Sequence, residues 1–377
     1  MRGFLCFSAL LAFVAQAYSA NVVCYFNSWT VYRPGNGKFV PQNIDPNLCS
    51  HILYAFVGLN SDGSVHILDS WEAIDLNGIS DLINLKQQNK DLKILLSMGG
   101  WNEGSSIYSA VVGNPTLRAN MVRNVVAFVR QYGFDGFDLS WEFPNARGGA
   151  QADVQNLPSL LVELKASLGD LTLSVAGSGW LSQIDTSYDV PVVANTVDMI
   201  NVMSYDFHGS YDGYVAHSSP LYQSSKDRSN GLSVNATIHH WIARGAPASK
   251  LNMGIVTYGR GFTLTDPAQT DLHAHSNGPS AAGPYTQEAG MMGYNEICEF
   301  DSNWQRVFDE ETRVPHIING DQWIGVEDAE SVGEKAQFAK ELGLGGVAVY
   351  SYDTDDFNGI CGGGKYPLIN KIKSVLQ

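Results

Sequence analysis

Short apolar runs recur along the chain, separated by stretches in which apolar residues are spaced differently. The eight runs are NVVCYF, SHILYAFV, LKILLSM, FDGFDLSW, LTLSVAG, MINVMSY, LNMGIVTYG and GGVAVYSY. Each run is typical of a buried β-strand, whereas segments 79–89, 117–131 and 157–168 have helical periodicity. Strands that alternate with helices predict a parallel sheet, and eight such units predict a closed (β/α)8 TIM barrel.

The spacing between runs breaks once, between the seventh run and the eighth. Roughly 70 residues rich in Gly, Asn, Tyr and Asp separate Phe262 from about Glu334. A gap of this length predicts an insertion at about 263–334. The mature chain, 18–377, is otherwise expected to form one barrel domain.

The first residues have the pattern of a secretory signal peptide. A short basic start precedes the apolar run FLCFSALLAFVA, and small residues follow at Ala15, Ala17 and Ala20. Ala15 and Ala17 fit the small positions before a cleavage site best, which predicts a signal peptide at 1–17; cleavage as late as residue 20 is the alternative. The protein is therefore expected to be secreted and extracellular, and no other apolar stretch is long enough to span a membrane.

Four cysteines remain once Cys6 is lost with the signal peptide: Cys24, Cys49, Cys298 and Cys361. An even number in an oxidising compartment predicts two disulfides, and free buried thiols are the alternative. Spacing alone cannot choose among the three pairings. The triplet 235–237, Asn-Ala-Thr, is the one sequon in the chain, so Asn235 is the candidate for N-glycosylation.

Composition narrows the possible partners. Of 377 residues, 44% are apolar, which allows a large core, and the formal net charge is −15. Removing the positive charge of Arg2 with the signal peptide makes it −16. Such acidity disfavours nucleic acid and anionic membranes but is compatible with a neutral polymer. The nine histidines lack zinc-binding spacing. We expect a monomer with no metal or other cofactor.

The fourth run contains the most informative pattern, FDGFDLSWEFP at 134–144. Asp138, Ser140 and Glu142 alternate with apolar residues and therefore lie on one face of a strand. In a barrel covered by helices that face points inward, and inward polar groups near the C-terminal end of a strand indicate a catalytic site. Two nearby carboxylates raise the pKa of one of them, as a general acid requires. The alternative is an internal hydrogen-bond cluster.

This segment resembles the signature D-x-x-D-x-D-x-E of glycoside hydrolase family 18 chitinases. Asp135, Asp138 and Glu142 match the signature, and Ser140 stands where the family has its third aspartate. Other segments resemble the family in the same order: CYFNSW (24–29), SHILYAFVGL (50–59), LLSMGGW (95–101), MSYDFHG (203–209), TYGRGF (257–262), NEIC (295–298) and YDTDDFNG (352–359). The resemblance covers essentially the mature chain, and it implies a barrel with a small α+β insertion between the seventh and eighth strands.

The resemblance implies cleavage of β-1,4-linked N-acetylglucosamine polymers without an enzyme nucleophile. Glu142 would protonate the glycosidic oxygen, and the substrate's own acetamido oxygen would attack C1 to give an oxazolinium ion. Water would open that ion with Glu142 as base. Tyr205 would hydrogen-bond the acetamide, and Asp135, Asp138 and Ser140 would complete the catalytic set.

The resemblance also implies the residues that contact chitin oligosaccharides. Trp29 and Trp101 would be stacking platforms for sugar faces, although a tryptophan is more often part of a core. The predicted substrate-binding residues are Trp29, Trp101, Met203, Asp206, Tyr211, Tyr258, Arg260, Glu296 and Tyr350. The cysteines occupy family-like positions, and the shorter loops are closed if Cys24 pairs with Cys49 and Cys298 with Cys361.

Three residues depart from the family pattern. Ser140 lacks the carboxylate that orients the acetamide and supports developing positive charge, and Tyr350 and Tyr211 stand where tryptophan is common. Losing one electrostatic stabiliser costs about 100- to 1000-fold in rate, so attenuated chitinase activity is predicted. A chitin-binding lectin without turnover is the main alternative, and a signalling or structural protein that never meets chitin is a third.

Overall fold

The computed structural model describes residues 20–227, 229–300 and 303–377, and the predicted signal peptide at 1–17 lies outside them. Eight parallel strands form a barrel. They are β1 Asn21–Asn27, β2 His51–Leu59, β3 Lys93–Gly99, β4 Gly136–Ser140, β5 Thr172–Ser178, β6 Met199–Met203, β7 Leu251–Val256 and β8 Gly346–Tyr350. Each strand pairs with the next, and β8 also pairs with β1, so the sheet closes. The predicted TIM barrel is confirmed.

Helices cover the outside of the barrel. They are Gly78–Asn84, Ser106–Gly113, Pro115–Tyr132, Asp153–Leu168, Leu181–Ser187, Val190–Thr196, Val234–Ala243, Ala329–Glu341 and Pro367–Leu376. Outward strand residues pack against these helices in the main core, and a smaller apolar cluster that includes Tyr25, Leu53 and Leu95 fills the barrel interior. In the part of the chain that the structure describes, no helix has the length and apolar content needed to cross a membrane.

Local sequence signals set the ends of the helices. Asn114 accepts hydrogen bonds from free backbone amides at the start of helix Pro115–Tyr132, and Gly133 ends that helix in the left-handed conformation with φ +78°. Asp328 caps helix Ala329–Glu341 in the same way. These caps satisfy backbone groups that the helices leave unpaired.

An antiparallel sheet and a short helix are inserted between β7 and β8. The strands are Tyr258–Leu264, Ser276–Pro279, Met291–Gly293, Gln305–Asp309, Val314–Asn319 and Gln322–Gly325, and the helix is Tyr294–Ile297. Phe262, Leu264 and Trp323 bury against Val215, so this α+β unit has an apolar cluster of its own. Its first strand begins two residues after β7 ends, so Tyr258 lies beside the barrel mouth.

Both predicted disulfides are present. Cys24 in β1 bonds to Cys49, just before β2, with the two Cα atoms 6.1 Å apart. Cys298, after the short inserted helix, bonds to Cys361, with the Cα atoms 5.2 Å apart. The first disulfide fastens two neighbouring barrel strands, and the second fastens the insertion to the segment that follows β8.

Candidate active site

Strand β4 carries the candidate site at its C-terminal end. Phe137, Leu139 and Trp141 point into the main core between barrel and helices. Asp138 points into the barrel, where it accepts hydrogen bonds from neighbouring strands, and the Ser140 hydroxyl donates to Glu142 Oε1 at 3.3 Å. The alternation predicted for 137–142 is therefore confirmed, and it brings Asp138, Ser140 and Glu142 onto one inward face.

The Asp138 carboxylate is completely buried and is held by donors from three other strands. Ser97 on β3 donates at 2.7 Å, Ser174 on β5 at 2.5 Å and Asn201 on β6 at 3.1 Å. Burial raises the pKa of Asp138, and these bonds together with the Tyr25 hydroxyl oppose the rise. Asp138 is thus fixed inside the barrel.

The sequence analysis missed the four partners of Asp138, namely Ser97, Ser174, Asn201 and Tyr25. A signal for three of them was available, because Ser97, Ser174 and Asn201 are small polar residues inside apolar strand runs. A polar residue in such a run is costly to bury unless it finds a partner. The pattern could have indicated that these side chains donate hydrogen bonds inside the barrel, but not which carboxylate accepts them.

Glu142 is partly buried at the end of the polar row. Burial raises the pKa of its carboxyl to about 7, while the Ser140 hydroxyl and the positive charge of Arg147 oppose the rise. Arg147 also donates to the Glu142 backbone carbonyl at 3.0 Å. A carboxyl with this pKa can release and recover a proton near neutral pH, which general acid–base chemistry requires.

Asp135 lies at the opposite end of β4 from Glu142, and its predicted catalytic role stays a prediction. It precedes β4, and the rise per residue separates it from Glu142 by roughly 20 Å along the chain. Its carboxylate forms an ion pair with Lys86 at 2.9 Å and accepts the backbone amide of Ile94 at 2.9 Å. Asp135 therefore anchors the N-terminal end of the barrel.

Four tyrosines form the floor and wall beside Glu142. The Tyr350 ring centroid lies 5.3 Å from that of Tyr25, 6.1 Å from that of Tyr205 and 6.5 Å from that of Tyr258. Burial raises the pKa of Tyr205 and of Tyr350 above the usual value, and the charge of Glu142 adds to both shifts. Both hydroxyls therefore remain protonated and able to donate at neutral pH.

Asp206 and Arg260 form an ion pair at the mouth of the barrel. Arg260 donates from Nε at 2.9 Å and from Nη2 at 2.7 Å to the two carboxylate oxygens, in the bidentate geometry that favours arginine. Ser218 donates to the same carboxylate at 3.1 Å. Tyr211 is exposed and donates to the Asp206 carbonyl at 3.2 Å, and Met203 ends β6 nearby. The structure thus brings together Met203, Asp206, Tyr211 and Arg260, which the resemblance predicted to contact the substrate.

With this geometry established, comparison with known proteins identifies the family. The model of glycosyl hydrolases family 18 matches residues 21–355. The chain belongs to glycosyl hydrolase family 18. The matched region contains all eight barrel strands and the inserted unit.

Family 18 relatives of this chain include chitinases and a pseudo-chitinase. Mouse (Mus musculus) Chitotriosidase-1 is 36% identical over 97% of this chain and 80% of the relative. The structure of the Ostrinia furnacalis Group IV chitinase in complex with allosamidin aligns with a TM-score of 0.93 and 39% identity, over 95% of this chain and 98% of that one. Human YKL-39, described as a pseudo-chitinase with retained chitooligosaccharide binding, aligns with a TM-score of 0.89 and 37% identity, over 95% and 99%.

Two predicted stacking residues of this family 18 chain are exposed at the mouth. Trp29 follows β1, is 43% exposed and stacks on Phe56 with ring centroids 6.1 Å apart. Trp101 follows β3 and is 60% exposed, and the Arg147 guanidinium lies 3.5 Å from its ring centroid. Exposure of large aromatic rings, rather than burial in a core, is consistent with binding surfaces.

Glu296 has a structural role in the insertion, and its predicted contact with substrate stays a prediction. Its side chain is completely buried, and it accepts the backbone amides of Tyr285 at 2.5 Å, Thr286 at 2.8 Å and Gly293 at 2.8 Å. Both carboxylate oxygens are therefore used to shape the insertion. Its complete burial and its three backbone donors hold this carboxylate within the insertion.

Within the described residues, 20–227, 229–300 and 303–377, one cluster brings together three side chains of types that can bind a metal ion. It consists of Cys298, Asp356 and Cys361. Its two sulfur atoms are bonded to each other, and Asp356 accepts the backbone amides of Gly359 and Cys361 at 2.8 and 2.7 Å. This chemistry fits a loop closed by a disulfide rather than a metal site, because a cysteine binds a metal ion as a free thiolate and not as half of a disulfide.

Proposed function

We propose that this protein binds N-acetylglucosamine oligosaccharides of chitin at the barrel mouth and hydrolyses them slowly. The observation that carries the proposal is Glu142, a carboxyl with a pKa of about 7 at the C-terminal end of β4. The active site of a TIM barrel lies at this face. Similarity to an Ostrinia furnacalis chitinase, with 39% identity over 95% of the chain, supports the proposal.

The proposed reaction uses Glu142 twice. Its proton passes to the glycosidic oxygen as the C1–O bond breaks, and the acetamido oxygen of the same sugar bonds to C1 to form an oxazolinium ion. The Glu142 carboxylate then takes a proton from water. The water oxygen bonds to C1 as the bond between C1 and the acetamido oxygen breaks, which opens the oxazolinium ring. The product keeps its anomeric configuration, and the protonated Tyr205 hydroxyl is available to the acetamide.

Ser140 and Asp138 explain why turnover would be slow. The Ser140 hydroxyl is neutral and lies 3.3 Å from Glu142, so it cannot offset the positive charge of the oxazolinium ion. Asp138 has the nearest other carboxyl of the row, but three donors hold it inside the barrel. Loss of one preorganised electrostatic contact lowers the rate by about 100- to 1000-fold.

Binding would depend on aromatic and neutral polar groups. Trp29 and Trp101 offer exposed faces to the apolar sides of sugar rings, and the Asp206–Arg260 pair offers directed polar contacts. A neutral polysaccharide is compatible with the acidic chain. We also propose that the protein is secreted, because the signal-peptide pattern and two disulfides fit an oxidising, extracellular setting. A monomeric state is part of the same proposal.

A second candidate is a chitin-binding lectin without useful turnover. It is favoured by Ser140, by the enclosed position of Asp138 and by the similarity to YKL-39. The retained Glu142 favours the enzyme, because this residue alone can supply the proton that the leaving oxygen requires.

The test incubates wild-type protein and Glu142→Gln with N-acetylchitohexaose. Products are followed by mass spectrometry and NMR, and binding is followed by calorimetry. We expect slow release of β-anomers by the wild type, none by the variant, and similar binding by both. Binding without any products from the wild type would support the lectin, and absence of binding would refute both candidates.

A further inference from the structure

We propose that Trp180 forms an additional N-acetylglucosamine subsite on the β5 side of the cleft and so sets the length of oligomer that binds best. This inference rests on the proposed function. Trp180 lies two residues after β5, is 38% exposed, and was not among the residues that the sequence pattern singled out. An indole exposed at the mouth of a barrel offers a flat apolar face on which a sugar ring can stack.

Strand β5 carries Trp180 to the C-terminal mouth of the barrel. Ser174 points inward, because its hydroxyl bonds to Asp138, and alternation gives Ser178, the last residue of β5, the same direction. The chain bends at Gly179 and Trp180, and Trp180 has φ −88° and ψ +123°. The following residue, Leu181, begins helix Leu181–Ser187.

Trp180 and the candidate acid follow neighbouring strands. Leu139 of β4 pairs with Val175 of β5. Glu142 lies two residues after β4 and Trp180 two residues after β5, so both lie on adjacent loops at the C-terminal face of the barrel. A TIM barrel binds its substrate at this face, so Trp180 is placed to contact a further unit of a polymer bound at Glu142.

The indole is preorganised. Its ring packs edge-on to Phe207 with centroids 6.3 Å apart, and its backbone amide donates to Ser178 Oγ at 3.1 Å. Helix Val234–Ala243 holds the preceding backbone, since Trp241 donates to the Ser178 carbonyl at 3.0 Å and Thr237 to the Gly179 carbonyl at 2.5 Å. A platform fixed before binding loses little side-chain entropy when a sugar stacks on it.

Gly179 allows this arrangement. A Cβ atom at position 179 would lie 2.2 Å from the carbonyl oxygen of Met203, so only glycine lets β5 and β6 approach this closely. The close approach brings Trp180 against Phe207, which follows Asp206 on the next loop. Trp180 therefore extends the row of groups at the mouth from β4 toward β6.

The test measures binding of chitin oligomers, from the dimer to the hexamer, by calorimetry in the non-hydrolysing Glu142→Gln protein. Adding Trp180→Ala should weaken the longest oligomers by about 5- to 30-fold and leave the shortest unchanged, because one aromatic platform is lost. Trp180→Phe should restore most of the loss, which separates stacking from misfolding. Tyr222→Ala is the matched control, because Tyr222 is 42% exposed and packs edge-on to Phe338 at 6.3 Å in the helical layer.

An unchanged dependence on oligomer length in Trp180→Ala would overturn the inference alone. An equal loss at every length would also overturn it, because the effect would then belong to the central site. Failure of every oligomer to bind the Glu142→Gln protein would refute the proposed function and this inference with it.

Discussion

The Ser140 hydroxyl donates to Glu142 Oε1 at 3.3 Å, and it is the one uncharged member of the inward row on β4. The bond is long for a hydroxyl donor and stabilises the ionised carboxylate only weakly. Burial therefore determines the proton affinity of Glu142, and its pKa rises to about 7. The same serine leaves Asp138 and Glu142 without a carboxylate between them.

Replacing Ser140 by Asp should raise kcat by about 10- to 1000-fold, because a carboxylate beside the oxazolinium ion restores one electrostatic contact in the transition state. Affinity for uncleaved oligomers should change much less. The measurement is initial-rate kinetics on N-acetylchitooligosaccharides, with Ser140→Ala as the control that removes only the hydroxyl. If the aspartate variant is no faster than wild type, another feature, such as the smaller ring of Tyr350, limits the rate.

Turnover should decrease as pH rises through about 7. Glu142 must carry a proton to act as acid, and its pKa of about 7 means that the protonated fraction falls above that pH. The check is a profile of kcat/KM against pH between 5 and 9, because kcat/KM reports the pKa of the acid in the free enzyme. A profile that stays flat to pH 9 would show that Glu142 is not the titrating acid.

Replacing Asp135 by Asn should leave kcat within about threefold of wild type, although the residue matches the catalytic signature. The expected effect is on stability: weakening the ion pair with Lys86 and the bond to Ile94 should lower the free energy of unfolding by about 1–3 kcal/mol. Urea unfolding and initial-rate kinetics measure the two effects. A loss of kcat as large as that caused by Glu142→Gln would contradict the position assigned to Asp135.

Replacing Glu72 by Gln should stabilise the protein at pH 8 and change little at pH 5. Glu72 is buried, accepts a hydrogen bond of 2.5 Å from Tyr54, and has a pKa raised by burial to about 7. The folded state therefore binds the proton more tightly than the unfolded state, so the contribution of this group is present below the unfolded pKa and is lost as pH rises through about 7. Glutamine resembles the protonated form at every pH.

Calorimetric melting at the two pH values measures this difference. Glu341→Gln is the matched control, because Glu341 is exposed and also accepts one side-chain hydrogen bond, from Gln337 at 2.9 Å. The control should show no difference that depends on pH. A Glu72→Gln protein that melts below wild type at pH 8 would refute the argument.

Much of the fold was predictable because it follows from local patterns. Eight apolar strand runs alternating with helices are sufficient for a parallel barrel, and alternation at 137–142 is sufficient to direct Asp138, Ser140 and Glu142 inward. The position of Asp135 could also have been predicted, since the length of β4 puts it at the other end of the barrel.

The sequence by itself thus determined the barrel, because the periodicity of apolar positions along the chain indicates each strand and helix. Resemblance to the family, together with the shorter loops, indicated both disulfides, which spacing alone could not choose. Only the tertiary structure decided the environment of each group. Ser97, Ser174 and Asn201, on three different strands, all donate hydrogen bonds to Asp138. Glu296 accepts hydrogen bonds from three backbone amides, and Trp180 packs against Phe207. Such contacts join residues far apart in sequence, and burial, which shifts a pKa, exists only once the chain has closed around the carboxyl.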